Sequence, residues 1–245
     1  MKIDLNCDMG EGCGNDAELM DFVSSVNIAC GFHAGDAATM LKTVKTAIEK
    51  GVAIGAHPGY DDRENFGRVS MSLPPDEVHD IVVEQITALR EICEAVGGKL
   101  RHVKPHGALY NQAAKDPELA TAIATAVKAV DENLILFGLS GSIMMDETEK
   151  CGLSPASEVF ADRTYRSDGS LTPRSEPDAL IKNADLAVAQ VLQMIKKQTV
   201  TATDGKTIPI VADTICIHGD GENALEFART IRRKLIENEI EICPV

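Results

Sequence analysis

The distribution of hydrophobic residues divides the chain into short apolar runs and longer segments of helical periodicity, in regular alternation. The apolar runs are rich in β-branched residues, which favours strands. They predict seven strands, at residues 2–7, 26–30, 52–57, 100–104, 134–138, 157–160 and 208–217. The clearest helix runs from Pro75 to the Gly97-Gly98 pair, because apolar residues recur there every three to four positions. Further helix starts are predicted at Asp36, at Asp116 and near Glu176.

Regular alternation of strands and helices indicates parallel strands joined by right-handed crossovers, either in a closed barrel or in an open doubly wound sheet. Side chains capable of chemistry follow six of the seven predicted strands. A barrel gathers the carboxyl ends of all its strands at one mouth, whereas an open sheet places its site at one switch point. We therefore expect an α/β fold of the (β/α) barrel type. No repeat or linker interrupts the sequence, so residues 1–245 are expected to form one domain.

The composition is typical of a folded globular protein and argues against several classes of partner. Hydrophobic residues make up 44% of the 245 residues and charged residues 25%. A net charge of −14, with three tyrosines, six phenylalanines and no tryptophan, argues against nucleic-acid binding. The sequence has neither a long apolar segment nor a signal-peptide pattern, so we expect a cytoplasmic protein without a membrane span. Seven cysteines without CxxC spacing indicate reduced thiols, with Cys7, Cys30 and Cys216 in the core.

Polar residues with catalytic or ligating chemistry stand just past the predicted strands. Four of the six histidines occupy such positions, whereas His79 lies on a helix and His102 lies inside the fourth strand. A single histidine at a strand end is more often structural than catalytic. Separate βα units, however, have no packing reason to carry His or Asp at corresponding positions, which favours one joint site. The candidate residues are Asn6, Asp8, Glu11, His33, Asp36, His57, Lys104, His106, Asp162, Arg163 and His218.

Three partial motifs do not predict the sites that they resemble. The Gly12-x-Gly14-x-x-Ala17 segment lacks the acidic residue after the second strand that a dinucleotide site needs. The Gly205-Lys206-Thr207 segment resembles the end of a P-loop, but Val200 stands where that loop requires glycine. The residues around Ser140 approach a serine-hydrolase elbow without completing it, so Ser140 is predicted to cap a helix.

A divalent metal is compatible with the candidate residues but is not required by them. Asp8, His33, His57, His106 and His218 are all ligand types that could form a mixed nitrogen and oxygen site. No local motif such as HxxxH fixes two ligands on one element. Similar sets of His and Asp also serve metal-free acid–base chemistry, so both alternatives stay open.

Six ordered blocks of the sequence resemble the LamB/YcsF family, and the likeness extends over essentially the whole chain. The chain differs from the family at Cys13, where Phe is usual, and at residues 64–69, where a Gly-Phe-Gly-Arg-Arg pattern is usual. These differences affect the third loop. The blocks are IDLNCDMGEG at 3–12, NIACGFHAGD at 27–36, GAHP at 55–58, VKPHGALYN at 103–111, EVFADR at 158–163 and HGD at 218–220.

The resemblance implies a distorted seven-stranded (β/α) barrel of the glycoside hydrolase/deacetylase type. Members of the family include the A subunit of the bacterial ATP-dependent 5-oxoprolinase. The likeness therefore implies ring opening of 5-oxoproline, a small lactam, to glutamate, with ATP as co-substrate and subunits B and C as partners. Because the chain lacks a P-loop, ATP would bind either at an unfamiliar glycine-lined site or on a partner subunit.

In this hypothesis, Lys104 and Arg163 neutralise the charge of a phosphate or of the substrate carboxylate. Asp8 or a strand-end histidine, preferably His57 or His106, activates water, and another histidine protonates the departing nitrogen. Asn6, Glu11, Asp36 and Asp162 are binding candidates, although Asp36 is also a good helix N-cap.

Two other functions are compatible with the sequence. The first is a metal-dependent deacetylase or hydrolase that acts on carbohydrate amides, with tightly bound zinc and no need for ATP. The second is a non-catalytic subunit that binds a ligand as a signal, in which substitutions alter binding without abolishing turnover by the complex. An exposed apolar helix face would in addition allow a homodimer.

Overall fold

The computed structural model describes residues 1–219 and 224–245, and a sheet of parallel strands forms its centre. The last residue of the HGD block, Asp220, lies outside the described residues. Within the described residues, the strands are β1 (Lys2–Met9), β2 (Ser25–Ala29), β3 (Ala53–His57), β4 (Leu100–Val103), β5 (Ile135–Leu139), β6 (Ser154–Phe160), β7 (Thr199–Thr201), β8 (Thr207–Pro209), β9 (Thr214–Cys216) and β10 (Glu241–Ile242).

Seven of these strands close into a barrel, which confirms the predicted fold class. The order is β1-β2-β3-β4-β5-β6-β9, and β9 pairs in parallel with both β6 and β1. The barrel is distorted, because the pairing register shifts between β3 and β4. In addition, the short β10 pairs with the first residues of β1, Lys2 and Ile3. The carboxyl ends of the seven strands therefore lie at one mouth.

The helices cover the outside of the barrel, and three of them start where the sequence predicts. Asp36 and Asp116 cap two of them, each accepting a hydrogen bond from a backbone N–H of the first turn. The long helix starts at Pro75, as its apolar pattern predicts. Within the described residues, the helices are α1 (Asp16–Leu19), α2 (Ala37–Lys50), α3 (Pro75–Ala95), α4 (Gly107–Ala113), α5 (Pro117–Val130), α6 (Ile143–Lys150), α7 (Ala184–Lys197) and α8 (Ala224–Glu237).

Three predictions about local structure were wrong. The segment 208–217 is not one strand, because Thr207–Pro209 turns back on Thr199–Thr201 as an antiparallel pair and only Thr214–Cys216 enters the barrel. No helix starts near Glu176; its carboxylate contacts Arg166, and α7 starts later, capped by Asn183. Ser140 is not a cap either, since its hydroxyl accepts a hydrogen bond from Val211 N at 2.9 Å.

The apolar core lies between the barrel and its helices, while the barrel interior is polar at β1. Leu5, Cys7 and Met9 are fully buried on the helix-facing side. Asp4, Asn6 and Asp8 alternate with them and point into the barrel, where they contact residues of other strands. Cys7, Cys30 and Cys216 are buried thiols, as predicted. Among the residues described, none of the helices combines the length and apolar character that a membrane crossing requires.

Candidate functional site

A cavity of about 360 Å³ opens at the carboxyl ends of the barrel strands, where the sequence places the candidate residues. Asn6 and Asp162 lie directly behind its wall, and His33 packs against two wall residues. Asp36 instead caps α2, with its Oδ1 2.7 Å from Thr39 N. Seven of the eleven candidates line the cavity: Asp8, Glu11, His57, Lys104, His106, Arg163 and His218.

Asp8, at the end of β1, is held by donors from the neighbouring strand β2 and from the end of β4. Its Oδ1 accepts hydrogen bonds from Asn27 Nδ2 at 2.8 Å and from Lys104 Nζ at 2.9 Å. Its Oδ2 faces His57 Nε2 at 3.4 Å. Burial opposes ionisation of Asp8, yet the charges of His57 and Lys104 outweigh this effect and hold the pKa of the carboxyl well below its usual range. Asp8 is therefore a fixed anion with one oxygen directed at the cavity.

Lys104 is buried between two carboxylates. Its Nζ lies 2.9 Å from Asp8 Oδ1 and 2.9 Å from Glu158 Oε1, with Cys216 Sγ at 3.2 Å. Burial opposes the charged form, but Asp8 and the other acidic neighbours raise the pKa of Lys104 well above its usual value. This ammonium thus balances charge inside the barrel. Its contacts leave it less able to meet a substrate anion than the sequence suggests.

Three imidazoles and one carboxylate meet beside Asp8, and we call them the histidine cluster (Glu11, His33, His57 and His106). His106 Nδ1 lies 2.9 Å from His57 Nε2. Glu11 Oε1 lies 3.2 Å from His33 Nε2, 3.4 Å from His106 Nδ1 and 3.8 Å from His57 Nε2. Each of these residues stands at or just past the end of a different strand, as the barrel hypothesis expects.

Backbone carbonyls fix which nitrogen of two of these rings carries a proton. His57 Nδ1 donates to Lys104 O at 2.7 Å, and His106 Nε2 donates to Phe66 O at 2.8 Å. In their neutral forms, His57 Nε2 and His106 Nδ1 would therefore point two lone pairs at each other across 2.9 Å. That approach is repulsive unless a positive charge, a proton or a metal ion, lies at this point.

The electrostatics of the cluster locate that charge near His57. Burial, followed by the charge of His57, lowers the pKa of His33 to about 3 and that of His106 to about 2, so both rings are neutral at pH 7. Burial opposes protonation of His57 as well, but the adjacent Asp8 outweighs it and raises the pKa of His57. Burial and Asp8 also raise the pKa of Glu11.

The donor atoms of the cluster fit a metal ion if His33 is left out. The rings of His33 and His106 are stacked, with centroids 3.8 Å apart and planes 4° from parallel, so their lone pairs do not converge on one point. The other atoms converge: His57 Nε2, His106 Nδ1 and Glu11 Oε1 are 2.9 to 3.8 Å apart, and Asp8 Oδ2 lies 3.4 Å from His57 Nε2. Ligands about 2.0–2.2 Å from a zinc-type ion have similar separations.

Glycines in the third loop make room for these rings. Gly67 has φ of +61°, and a Cβ there would lie 2.9 Å from both His106 Cδ2 and His33 Cβ. The neighbouring Phe66 also has positive φ, 58°, and supplies the carbonyl that orients His106. This is the loop in which the sequence differs from the family pattern. Phe66 and Gly67, which provide the backbone carbonyl and the close approach, match the Phe-Gly of that pattern.

On the other side of the cavity, His218 and Asp162 form a hydrogen-bonded dyad. His218 Nδ1 lies 2.8 Å from each oxygen of Asp162, and its ring stacks on Phe160. Burial opposes ionisation of Asp162, but His218 outweighs it and lowers the pKa of the carboxyl. The carboxylate orients the ring and leaves Nε2 for chemistry, which is the usual arrangement of a base and its orienting partner.

Arg163 reaches the cavity wall but is tied to the loop that follows it. Its Nη2 donates to Thr172 O at 2.6 Å and its Nε lies 3.3 Å from Ala179 O. The side chain is only 6% exposed. Arg163 therefore supports the loop at residues 171–174, which itself forms one side of the cavity.

Sequence reasoning missed several residues that complete the site. Glu158 and Asn27 lie within strands, where acidic and amide residues give no signal of their own. Lys115 and Arg174 lie on connecting segments without any motif, and Arg68 lies in the third loop, at residues 64–69. All three line the cavity. For Glu158, its place in the EVFADR block was the one available signal.

Comparisons with known proteins agree with the fold and the family resemblance. The sequence model of the LamB/YcsF family matches residues 3–245. A lactam utilization protein from Thermus thermophilus is 44% identical, with all of both chains covered and a TM-score of 0.94. A polysaccharide deacetylase from Bacillus cereus shares the fold, at 15% identity and a TM-score of 0.52 over 100% of this chain and 92% of that one. The chain therefore belongs to the LamB/YcsF family.

Proposed function

We propose that this chain acts in lactam utilization by opening the ring of 5-oxoproline to glutamate, driven by ATP, together with the B and C subunits of a 5-oxoprolinase. The observation that carries the proposal is the pairing, in one cavity, of the His218–Asp162 dyad with the Asp8–His57 ion pair. The similarity to the Thermus lactam utilization protein, at 44% identity, supports a lactam as the substrate class.

Ring opening needs an activated carbonyl and a proton for the nitrogen, because amide resonance makes the lactam a poor electrophile. Transfer of the γ-phosphoryl group of ATP to the carbonyl oxygen supplies the activation. Water then adds to the carbonyl carbon, the C–N bond breaks as the nitrogen takes up a proton, and an acyl phosphate is left. A second water hydrolyses it to the carboxylate of glutamate and inorganic phosphate.

Asp8 and the histidine cluster suit the water-activating side of this reaction. Asp8 Oδ2 and His57 Nε2 face the cavity 3.4 Å apart, while Lys104 and Asn27 hold the other oxygen of Asp8 in place. A carboxylate anchored in this way accepts a proton from water without moving. The positive charge beside His57 and His106 offsets the negative charge of the phosphoryl group that the carbonyl oxygen carries when water adds.

His218 is suited to protonate the departing lactam nitrogen. Its Nδ1 is bound by Asp162, so its Nε2 is the atom that exchanges a proton with the departing amine. His218 follows β9, and the three histidines of the cluster lie at or just past the ends of β2, β3 and β4. Since β9 and β2 flank β1 on opposite sides, the two proton transfers are assigned to separate groups. This division assigns the acid and the base, between which the sequence alone does not choose.

We also propose that the cavity binds a divalent metal ion through His57, His106 and Glu11, whose donor atoms lie 2.9 to 3.8 Å apart. Asp8, with Oδ2 3.4 Å from His57 Nε2, would complete the set from the side of β1. When bound, the ion would polarise the carbonyl or lower the pKa of a water molecule. His33 would hold Glu11 in position through Nε2 rather than act as a ligand.

The direct test is glutamate formation from 5-oxoproline and ATP in a mixture of all three purified subunits, with this chain present or omitted. We expect product and ADP in equal amounts in the complete mixture and none without the chain. Product formed equally well without this chain would contradict the proposal. Titration of the chain with ATP, alone and with subunits B and C, locates the nucleotide site.

A metal-dependent hydrolysis of carbohydrate amides is the second candidate, favoured by the convergent donor set of the cavity. It requires that added zinc support deacetylation of an N-acetylated oligosaccharide in the absence of ATP. Hydrolysis under those conditions, with no turnover of 5-oxoproline, would favour it over the lactam reaction. A non-catalytic role would instead leave glutamate formation intact when Asp8 or His218 is replaced.

A further inference from the structure

We propose that Arg174 binds the carboxylate of the substrate and so determines that the site accepts lactams carrying an acidic group next to the ring nitrogen. This inference rests on the proposed lactam reaction and names the specificity residue of the same cavity. It transfers the role expected from the sequence for Lys104 and Arg163 onto a residue that no motif indicates.

The charges of the cavity are arranged in two zones. The inner zone holds Asp8 and the histidine cluster, with Lys104 bound to carboxylates. The outer wall carries three cationic side chains, Arg68, Lys115 and Arg174. The chain as a whole has a net charge of −14, so a cationic wall is contrary to its average surface. A ligand with an uncharged reactive end and an anionic end fits this arrangement.

Arg174 differs from Lys115 in its position, since Lys115 acts electrostatically on Asp168, away from the dyad. Its guanidinium is close enough to act electrostatically on both Asp162 and Arg163. Within residues 1–219 and 224–245, its side chain makes no hydrogen bond or ion pair. Two guanidinium groups thus stand near one carboxylate, and that carboxylate is already bound to His218. An added anion would balance the excess positive charge at this point.

The loop that carries Arg174 is braced, so the backbone from which this side chain extends has a defined position. Arg163 donates to the backbone oxygen of Thr172, and Thr164 Oγ1 bonds to Thr172 Oγ1 at 2.7 Å. Antiparallel bridges join Tyr165 to Leu171 and Arg163 to Leu180. Pro173 restricts the backbone directly before Arg174. A positioned arginine can bind both oxygens of a carboxylate at once.

The placement agrees with the chemistry of 5-oxoproline. In this lactam, the ring nitrogen lies between the carbonyl carbon and the carbon that bears the carboxylate. In the protein, His218 links the two zones: it is bound to Asp162, on which Arg174 acts, and it lies within 4.8 Å of Asp8. A carboxylate on Arg174 therefore sets the nitrogen at His218 and the carbonyl at the histidine cluster.

The experiment compares the reconstituted complex carrying wild-type chain, Arg174→Gln or Arg174→Lys, with Arg233→Gln on the exposed face of α8 as the matched control. Kinetics are measured with 5-oxoproline and with 2-pyrrolidinone, which lacks the carboxylate. We expect Arg174→Gln to raise KM for 5-oxoproline about 10- to 100-fold and to leave 2-pyrrolidinone nearly unchanged. Arg174→Lys should restore part of the loss, since it keeps the charge but not the paired donors.

A phosphate of ATP offers the same anionic chemistry, and KM for ATP distinguishes the two sources. A rise in KM for ATP, with KM for 5-oxoproline unchanged, would overturn the carboxylate assignment. Equal loss of activity towards both lactams in Arg174→Gln would also overturn it. Failure of the wild-type complex to convert 5-oxoproline would instead reject the proposed function itself. Unaltered melting temperatures of the variants ensure that these effects do not come from misfolding.

Discussion

Two carboxylates on the same strand, Asp4 and Asp8, show how one barrel treats buried charge in two ways. Both point into the barrel from β1, four residues apart. Asp4 accepts hydrogen bonds from the hydroxyls of Ser24, Ser25 and Thr214 at 2.6 to 2.7 Å, so both of its oxygens are satisfied. Asp8 is satisfied at Oδ1 alone, and its Oδ2 faces His57 and the cavity.

Their surroundings shift the pKa values of the two carboxyl groups in opposite directions. Burial raises the pKa of Asp4, and its neutral hydroxyl partners only reduce that effect. For Asp8, burial is outweighed by His57 and Lys104, and the pKa falls. A buried polar group whose partners are complete stabilises a structure, whereas one left with an open oxygen beside a cation is poised for chemistry. The contrast separates the structural end of the barrel, at Asp4, from its functional end, at Asp8 and the cavity.

The largest effect should come from replacing the two carboxylates one at a time. Asp8→Asn should lower kcat for glutamate formation about 100- to 10,000-fold. It should also lower the unfolding free energy, because Lys104 and His57 each lose an ionic partner. Asp4→Asn should cost about 1–3 kcal/mol of unfolding free energy and leave kcat within severalfold. Urea denaturation and steady-state kinetics of both variants check this. A large, selective loss of kcat in Asp4→Asn would remove the distinction between the two ends.

Removal of the cation between Asp8 and Glu158 tests whether Lys104 acts by balancing charge. Lys104→Met leaves two buried carboxylates without their partner and should reduce unfolding free energy by about 3–5 kcal/mol. The double variant with Glu158→Gln should recover part of this loss, because one of the unpaired charges is then gone. Equal stability of the single and double variants would show that Lys104 and Glu158 are not coupled.

Zinc affinity distinguishes a metal ligand such as His106 from a supporting residue such as His33. With zinc supplied, His106→Ala should lower affinity at least about tenfold, since it removes a nitrogen directed at the shared point. His33→Ala should reduce affinity less, because the His33 ring is stacked parallel to His106. His79→Ala, on the outer helix, serves as the control. Calorimetric titration of wild type and the three variants with zinc gives the order of their affinities. If His33→Ala bound zinc most weakly, the assignment of His106 as the ligand would be contradicted.

The smallest expected effect is a pH dependence of the stability that Asp162 contributes through its pairing with His218. The folded-state pKa of Asp162 is depressed, so its contribution to stability is present above the unfolded pKa of about 4 and is lost as pH falls through the folded value. The difference in unfolding free energy between wild type and Asp162→Asn should therefore be constant above about pH 5 and shrink at lower pH. Denaturation at several pH values measures it. A difference that grows on acidification would contradict the pairing with His218.

The sequence predicted the barrel and most of its mouth because alternation and strand-end chemistry are local signals. Asp8, His57, His106 and His218 lie at or just past strand ends, and parallel pairing brings them together. Glu158 and Asn27 each begin a block that resembles the family, but their roles could not be predicted, since only the pairing of the strands shows that they contact Asn6 and Asp8 of β1. The antiparallel pair at Thr207–Pro209 was hidden because an apolar run does not reveal where a chain reverses direction.

The roles of cations were the hardest to predict, since a charged residue beside a strand end has no local sign of its partners. Lys104 and Arg163 follow strands as a ligand-binding residue would, but Lys104 is paired with two carboxylates and Arg163 donates to backbone carbonyls of the loop that follows it. Arg174 lies in an irregular segment and emerged only from the shape of the cavity.

The central claim is that the strand-end residues form one substrate site. Histidine side-chain NMR spectra of the reconstituted complex, with this chain alone labelled with nitrogen-15, test it most directly when recorded with and without 5-oxoproline. We predict that the lactam shifts the ring signals of His57, His106 and His218 and leaves those of His79 and His102 unchanged. Glutamate formation by a complex in which saturating 5-oxoproline moves none of the three strand-end signals would contradict it.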